Sequence, residues 1–178
     1  MRGYFGIGVE NISKPMNLGN LLRSANAFGA SFFFTVNAAF DAEQVAMSDT
    51  SDAVRHLPLY TYAGVDALQL PHKCRLIGVE FTEESAELPS FYHPVAAAYI
   101  LGRERGSLSP EMQARCDALV KIPTKFCVNV GVAGAIVMYD RVISLGRFAR
   151  RPLNERSAPG PAAKPGRPAQ PSDAAPER

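Results

Sequence analysis

Arg23 and two amides, Asn17 and Asn20, are set into an otherwise apolar stretch that runs from Asn17 to Ala30. Leu18, Leu21, Leu22, Ala25 and Phe28 recur there at spacings of three and four, the period of a helix with one buried face. Asn17 stands where a side-chain oxygen can cap such a helix, and Gly29 follows it as a stop signal. Asn20 and Arg23 are three apart and share a face. A guanidinium keeps its proton to above about pH 12, which makes it a poor base. Its strengths are clamping a phosphate and stabilising a developing oxyanion through charge-assisted hydrogen bonds. A solvated arginine on a surface helix fits the segment equally well, as does Asn17 acting only as a cap.

Two later segments add chemistry. An apolar run, Val95 to Leu101, ends in a polar turn bracketed by Gly102 and Gly106, and Ser109-Pro110-Glu111 then signals a helix start. Strand, glycine turn, helix is the place where α/β proteins bind ligands, because bare backbone faces the crevice beyond the strand. A side chain at position 102 would fill that crevice. Lys121 to Ala135 reads as a short strand, a loop and a small-residue helix beginning at Asn129. Glu104, flanked by Arg103 and Arg105, fits a solvated turn acid as well as a working carboxylate.

Together the three segments resemble the motifs of the SpoU/TrmH-like RNA 2′-O-ribose methyltransferases of the SPOUT superfamily, in order, over roughly residues 4–147. Asn17, Gly19, Asn20 and Arg23 match the first motif, Gly102 and Glu104 the second, and Ile122-Pro123 with Asn129-Val130 the third. The chain departs from the pattern in three places. Ser107 stands at the middle motif's second glycine, Cys127 replaces a common serine, and the Pro123–Asn129 loop is short.

The resemblance implies attack of a ribose 2′-hydroxyl on the methyl group of S-adenosylmethionine, with no metal. It assigns Arg23, Asn17, Glu104 and Asn129 as catalytic. Val79, Gly102, Ile122, Cys127 and Val128 become the cofactor pocket, and Arg23, Asn20, Arg103 and Arg105 the RNA-binding residues. It further implies a homodimer packed through the last helix and a C-terminal trefoil knot. A module that binds RNA or an adenosyl ligand without transferring methyl is the alternative from another class. The joint presence of Arg23, Glu104 and Asn129 favours the enzyme. The chain begins within a few residues of its first expected strand, and such a near-minimal domain tilts the expected substrate towards tRNA over rRNA.

Composition bounds the rest. At 178 residues and 47% hydrophobic, the chain can bury one ordinary core, expected over residues 1–150. No apolar run approaches the roughly 20 residues that cross a bilayer, and no secretory signal is expected, so no membrane partner is expected. Cys74, Cys116 and Cys127 are odd in number and lack C-x-x-C spacing, which fits reduced thiols in a cytoplasmic protein and neither disulfides nor zinc. His56, His72 and His93 are scattered and read as structural or surface residues.

Net charge is only +2, yet residues 141–178 hold eight Lys/Arg against three acids, which leaves the body slightly acidic. Any RNA surface is therefore a local patch, for which Arg23, Arg103, Arg105 and the arginines from 147 to 151 are the candidates. From Pro152 onward Pro, Ala, Gly, Ser and Arg dominate, and residues 151–178 read as a disordered tail.

Strands are expected at Tyr4–Val9, Ser31–Val36, Leu57–Tyr62, Arg75–Val79, Ala96–Leu101 and Ala118–Ile122. Helices are expected at Asn17–Phe28, after Ser109, over Val130–Phe148, and for a turn or two at Val65–Leu70. This alternation predicts an α/β fold with a mostly parallel sheet and helices on both faces.

Overall fold

The computed structural model describes residues 3–39, 56–103, 106–146 and 148. Residues 1–147 form one compact unit, and the expected tail, 151–178, lies outside the described residues. Among the described residues seven strands make one sheet: β1 (Tyr4–Glu10), β2 (Phe32–Val36), β3 (Leu59–Tyr62), β4 (Arg75–Val79), β5 (Ala86–Glu87), β6 (Ala96–Leu101) and β7 (Ala118–Lys121). Their spatial order is β3-β2-β1-β6-β4-β7-β5, and every pairing is parallel. Among the described residues the helices are α1 (Pro15–Ala27), α2 (Pro110–Arg115) and α3 (Val130–Leu145), with one 3-10 turn at Leu88–Ser90.

Alternation along β1 divides the core. Phe5, Ile7 and Val9 face α1 and α3 in one apolar cluster with Phe33, Ile77 and Tyr99. Gly6 and Gly8 face the other way, beneath the rings of Phe32 and Phe34, where a Cβ on either would sit within 2.7 Å of those residues. That second face is completed by Leu108 and by Met112 of α2, packed with Leu76 and Ile100. Both faces of the sheet are therefore covered, which is why its central strands are nearly continuous apolar runs.

α1 forms although Asn17, Gly19, Asn20 and Asn26 are poor helix formers. Gly costs roughly 1 kcal/mol against Ala and each Asn less. Leu18, Leu21 and Leu22 are fully buried, each contributing about 1.5–3 kcal/mol, so packing outweighs propensity. The helix starts earlier than expected. Pro15 takes its first turn after Lys14, and Asn17 lies inside it, buried, rather than at the N-cap. Its end is as read: Gly29 has φ +74°, and the amides of Gly29 and Ala30 bond to the carbonyls of Asn26 and Ala25.

α3 begins at Asn129, whose side-chain oxygen accepts from the Gly131 amide at 2.9 Å. Its small residues let it approach α1 closely, since a Cβ on Gly134 would lie 2.2 Å from Leu21 Cδ1. The helix stops at Leu145, short of Phe148, and Val65–Leu70 makes a hydrogen-bonded turn rather than a helix. β5 was not foreseen: two exposed residues carry no apolar alternation, yet they pair with β7.

At the amino end of the sheet, Arg141 of α3 is buried. It donates to the carbonyls of Pro94 (2.6 Å), Val95 (2.9 Å) and Tyr4 (3.2 Å) and to the Tyr99 hydroxyl (3.1 Å). Buried His93 lies 2.6 Å from the Tyr99 hydroxyl through Nδ1 and 2.9 Å from Asp140 through Nε2. Arg141 thus belongs to the core and not to a basic surface, whereas His56 and His72 are exposed.

Candidate active site

β1, β6 and β4 lie side by side and run parallel, so their carboxyl ends share one edge of the sheet, the usual ligand-binding edge of an open parallel sheet. A cleft of about 300 Å³ opens there. It lies at the lower end of the size range of small-molecule pockets. Val79, Gly102, Ile122, Cys127 and Val128, the five residues expected to face an adenosine, all line it. Leu101, Val130 and Ala133 extend the apolar wall, and Glu80, Arg103 and Thr124 supply polar groups.

Gly102 lines the cleft, and a second constraint also keeps it bare. A Cβ there would meet the loop that folds back over it, 2.8 Å from the Leu108 nitrogen and 2.9 Å from the Ser107 carbonyl carbon. Its bareness shapes the loop first and the crevice through it. Glu104 and Arg105, in that loop, lie outside the described residues.

A second, more open hollow of about 530 Å³ runs between α1 and α3. Asn20, Arg23 and Asn129 line it beside Phe28, Ile136 and Tyr139. The two hollows meet across the first turn of α3. Val130 and Ala133 line the cleft, while Asn129, Gly131 and Val132 line the groove.

Asn129 also donates from Nδ2 to Asn17 Oδ1 at 3.0 Å, so the two asparagines pin the start of α3 to α1. Asn17 lines neither hollow and serves as the support of Asn129. Arg103 lies in the cleft and not in the groove, so Arg23 and Asn20 are brought together there without it. Among the described residues no three His, Cys, Asp or Glu side chains cluster closely enough to hold a metal ion.

The thiols differ in setting. Burial pushes Cys116 up to about 12, with Asp117 and Glu10 adding to the shift, so its thiol stays protonated and inert. Burial also raises Cys74, whereas Cys127 is exposed at the cleft.

Sequence reasoning missed two buried acids at this edge. Glu10 accepts from the Ser109 amide (2.8 Å) and hydroxyl (2.6 Å), and Glu80 accepts from the amides of Leu108 (2.6 Å) and Phe81 (3.0 Å). A signal was present: β1 ends Gly8-Val9-Glu10 and β4 runs out through Gly78-Val79-Glu80, the same tripeptide at the same edge.

The SpoU rRNA Methylase family profile matches residues 5–139. A tRNA (guanosine(18)-2′-O)-methyltransferase of Mus musculus is 26% identical over 137 residues, 72% of this chain and 9% of that one. The YacO protein of Bacillus subtilis strain 168, named for the TrmH family of tRNA/rRNA methyltransferases, is 25% identical over 142 residues, 76% of this chain and 57% of that one. A crystal structure of an AdoMet-bound rRNA methyltransferase from Sinorhizobium meliloti superposes with TM-score 0.69 at 21% identity, covering 80% of this chain and 57% of that one. The chain thus spans less than two thirds of the length of each of these relatives.

Proposed function

The chain belongs to the SpoU rRNA methylase family, and from that premise we propose that it is an S-adenosylmethionine-dependent RNA 2′-O-ribose methyltransferase. The observation that carries the reading is the meeting of two hollows across one helical turn. An apolar, backbone-lined cleft lies on one side and an arginine-bearing groove on the other.

The cleft's residues fit a methyl donor. Val79, Leu101, Ile122 and Val128 offer flat apolar walls to an adenine, and the loop folded against Gly102 leaves bare backbone beside them. S-adenosylmethionine would supply an activated methyl with its leaving group attached, so the chemistry requires no metal.

The protein's own contribution is placement and charge. Arg23 is exposed in the groove, where its guanidinium can hold a backbone phosphate and stabilise the alkoxide that develops as the 2′-hydroxyl gives its proton to solvent water. Asn129 faces the same groove from a position fixed by its cap and by Asn17. Holding ribose and donor in line can lower the barrier by several kcal/mol, up to roughly 7–11.

The substrate is RNA, with tRNA favoured over rRNA, supported by the name of the mouse relative. The protein acts as a homodimer, supported by the apolar lining of the groove and by the half-exposed Val132 and Tyr139 of α3. A cytoplasmic location is supported by the three free thiols.

The test is transfer of label from methyl-tritiated S-adenosylmethionine to total RNA from a strain lacking the protein. Label recovered in alkali-resistant dinucleotides, the mark of a blocked 2′-hydroxyl, supports the enzyme. Calorimetric binding of the donor without incorporation supports a binding module instead.

A further inference from the structure

We infer that Glu10 and Glu80 are positioning residues that grip the loop after β6 from both sides and hold it in the shape that walls the cleft. The inference rests on reading that cleft as the methyl-donor site.

β6 lies between β1 and β4, with Val9 and Val79 both level with Leu101. Glu10 and Glu80, each one residue further on, therefore flank Gly102 from opposite sides. Both are buried, at 2% and 9% exposure, and among the described residues neither is in an ion pair. Buried carboxylates without a cation are costly unless N–H or O–H groups solvate them. Here that solvation comes largely from the loop. Glu80 takes the Leu108 amide at 2.6 Å, and Glu10 takes both the amide and the hydroxyl of Ser109 at 2.8 and 2.6 Å.

Two adjacent loop residues are thus tied to two different strands. The tie falls where the loop backbone presses on Gly102, whose Cβ would lie 2.8 Å from the same Leu108 nitrogen. Ser109 relays the grip onward, since its hydroxyl caps α2 by accepting from the Met112 amide at 3.1 Å. Gly102, Gly106, Ser107 and Glu80 itself line the cleft, so the position of this loop sets the cleft's shape. Two carboxylates suit the task because each presents two accepting oxygens to two donors.

Glu80→Gln and Glu80→Asp separate this role from simple packing. Gln matches the size of Glu but turns an NH2 towards the amide of Leu108 or Phe81, whereas Asp is smaller and keeps both acceptors. In the full-length protein, Glu80→Gln should lose at least tenfold in calorimetric affinity for S-adenosylmethionine. Hydrogen exchange at the Leu108 amide should speed up at least tenfold. Glu80→Asp should recover at least threefold of the lost affinity.

A Gln variant that equals wild type on both readouts, or an Asp variant weaker than Gln, overturns the inference. A wild-type protein that binds no S-adenosylmethionine overturns the methyl-donor reading instead. Should Glu80→Gln fail to fold, Ser109→Ala decides. It removes one partner of Glu10 while leaving both acids, and at least a threefold loss of affinity is expected; unchanged affinity overturns the inference.

Discussion

Arg23 carries the chemistry in this account, and its setting separates that role from donor binding. It lines the groove and not the cleft. Arg23→Ala should therefore lower single-turnover methyl transfer by at least 100-fold, about 3 kcal/mol for a lost charge-stabilising donor. Its S-adenosylmethionine affinity should stay within a few-fold of wild type. Gly102→Val should show the reverse in the same calorimetric titration, losing the donor because the added side chain displaces the Ser107–Leu108 backbone. A thiol label offers a second check. Cys127 is exposed at the cleft and Cys116 is held protonated, so maleimide should modify Cys127 first, and saturating S-adenosylmethionine should slow it. Equal labelling with and without donor would place the adenosyl group elsewhere. The sequence showed which residue types were present better than it showed their duties. Asn17 has the chemistry of a cap, and only tertiary packing turns its side chain to Asn129. Glu10 and Glu80 end strands in the sequence, and nothing local shows that a loop 99 and 28 residues away, respectively, donates to them.

Helices and strands were legible wherever apolar periodicity fixed them. β1, β4 and β6 fall within a residue of expectation, whereas β5, held only by pairing with β7, carries no local signal. The small-residue start of α3 was readable as close packing, and Gly134 shows how close. Gly134→Val would drive a branched side chain into Leu21 and should cost about 1–3 kcal/mol in urea unfolding. The other end of α3 carries a pH dependence. Burial, against the upward pull of Asp140, holds the His93 imidazole below its ordinary value, and Arg141 adds to the depression. The unfolded chain therefore takes up this proton before the folded one as pH falls. Stability should be full above about pH 6.5 and decline below it, by at most about 1.4 kcal/mol per pH unit for one proton. Urea midpoints between pH 5 and 8 check this, and His93→Gln should flatten the acid side of the curve.

At the scale of the whole molecule, the apolar wall of the groove between α1 and α3 should be covered by a second copy, with its Arg23 end left open to RNA. Phe28, Ile136 and Tyr139 line it, and Tyr139 is half exposed. Sedimentation should give a dimer at micromolar concentration, and Tyr139→Glu, which puts a charge into that face, should give a monomer with donor affinity retained. A wild-type monomer would remove the second subunit from the account. Fold class was legible because strand–helix alternation permits few sheets. A knot is a property of how the chain threads through itself, which no periodicity records, so it entered only through the family resemblance. The central claim, methyl transfer to a ribose oxygen of RNA, is tested most directly by mapping 2′-O-methyl nucleotides by mass spectrometry in RNA from wild-type and deletion strains. The account predicts a 2′-O-methyl nucleotide, in tRNA before rRNA, that is absent from the deletion strain and restored by the wild-type protein but not by Arg23→Ala. An unchanged ribose-methylation map, or the loss of a base methyl instead, would contradict it.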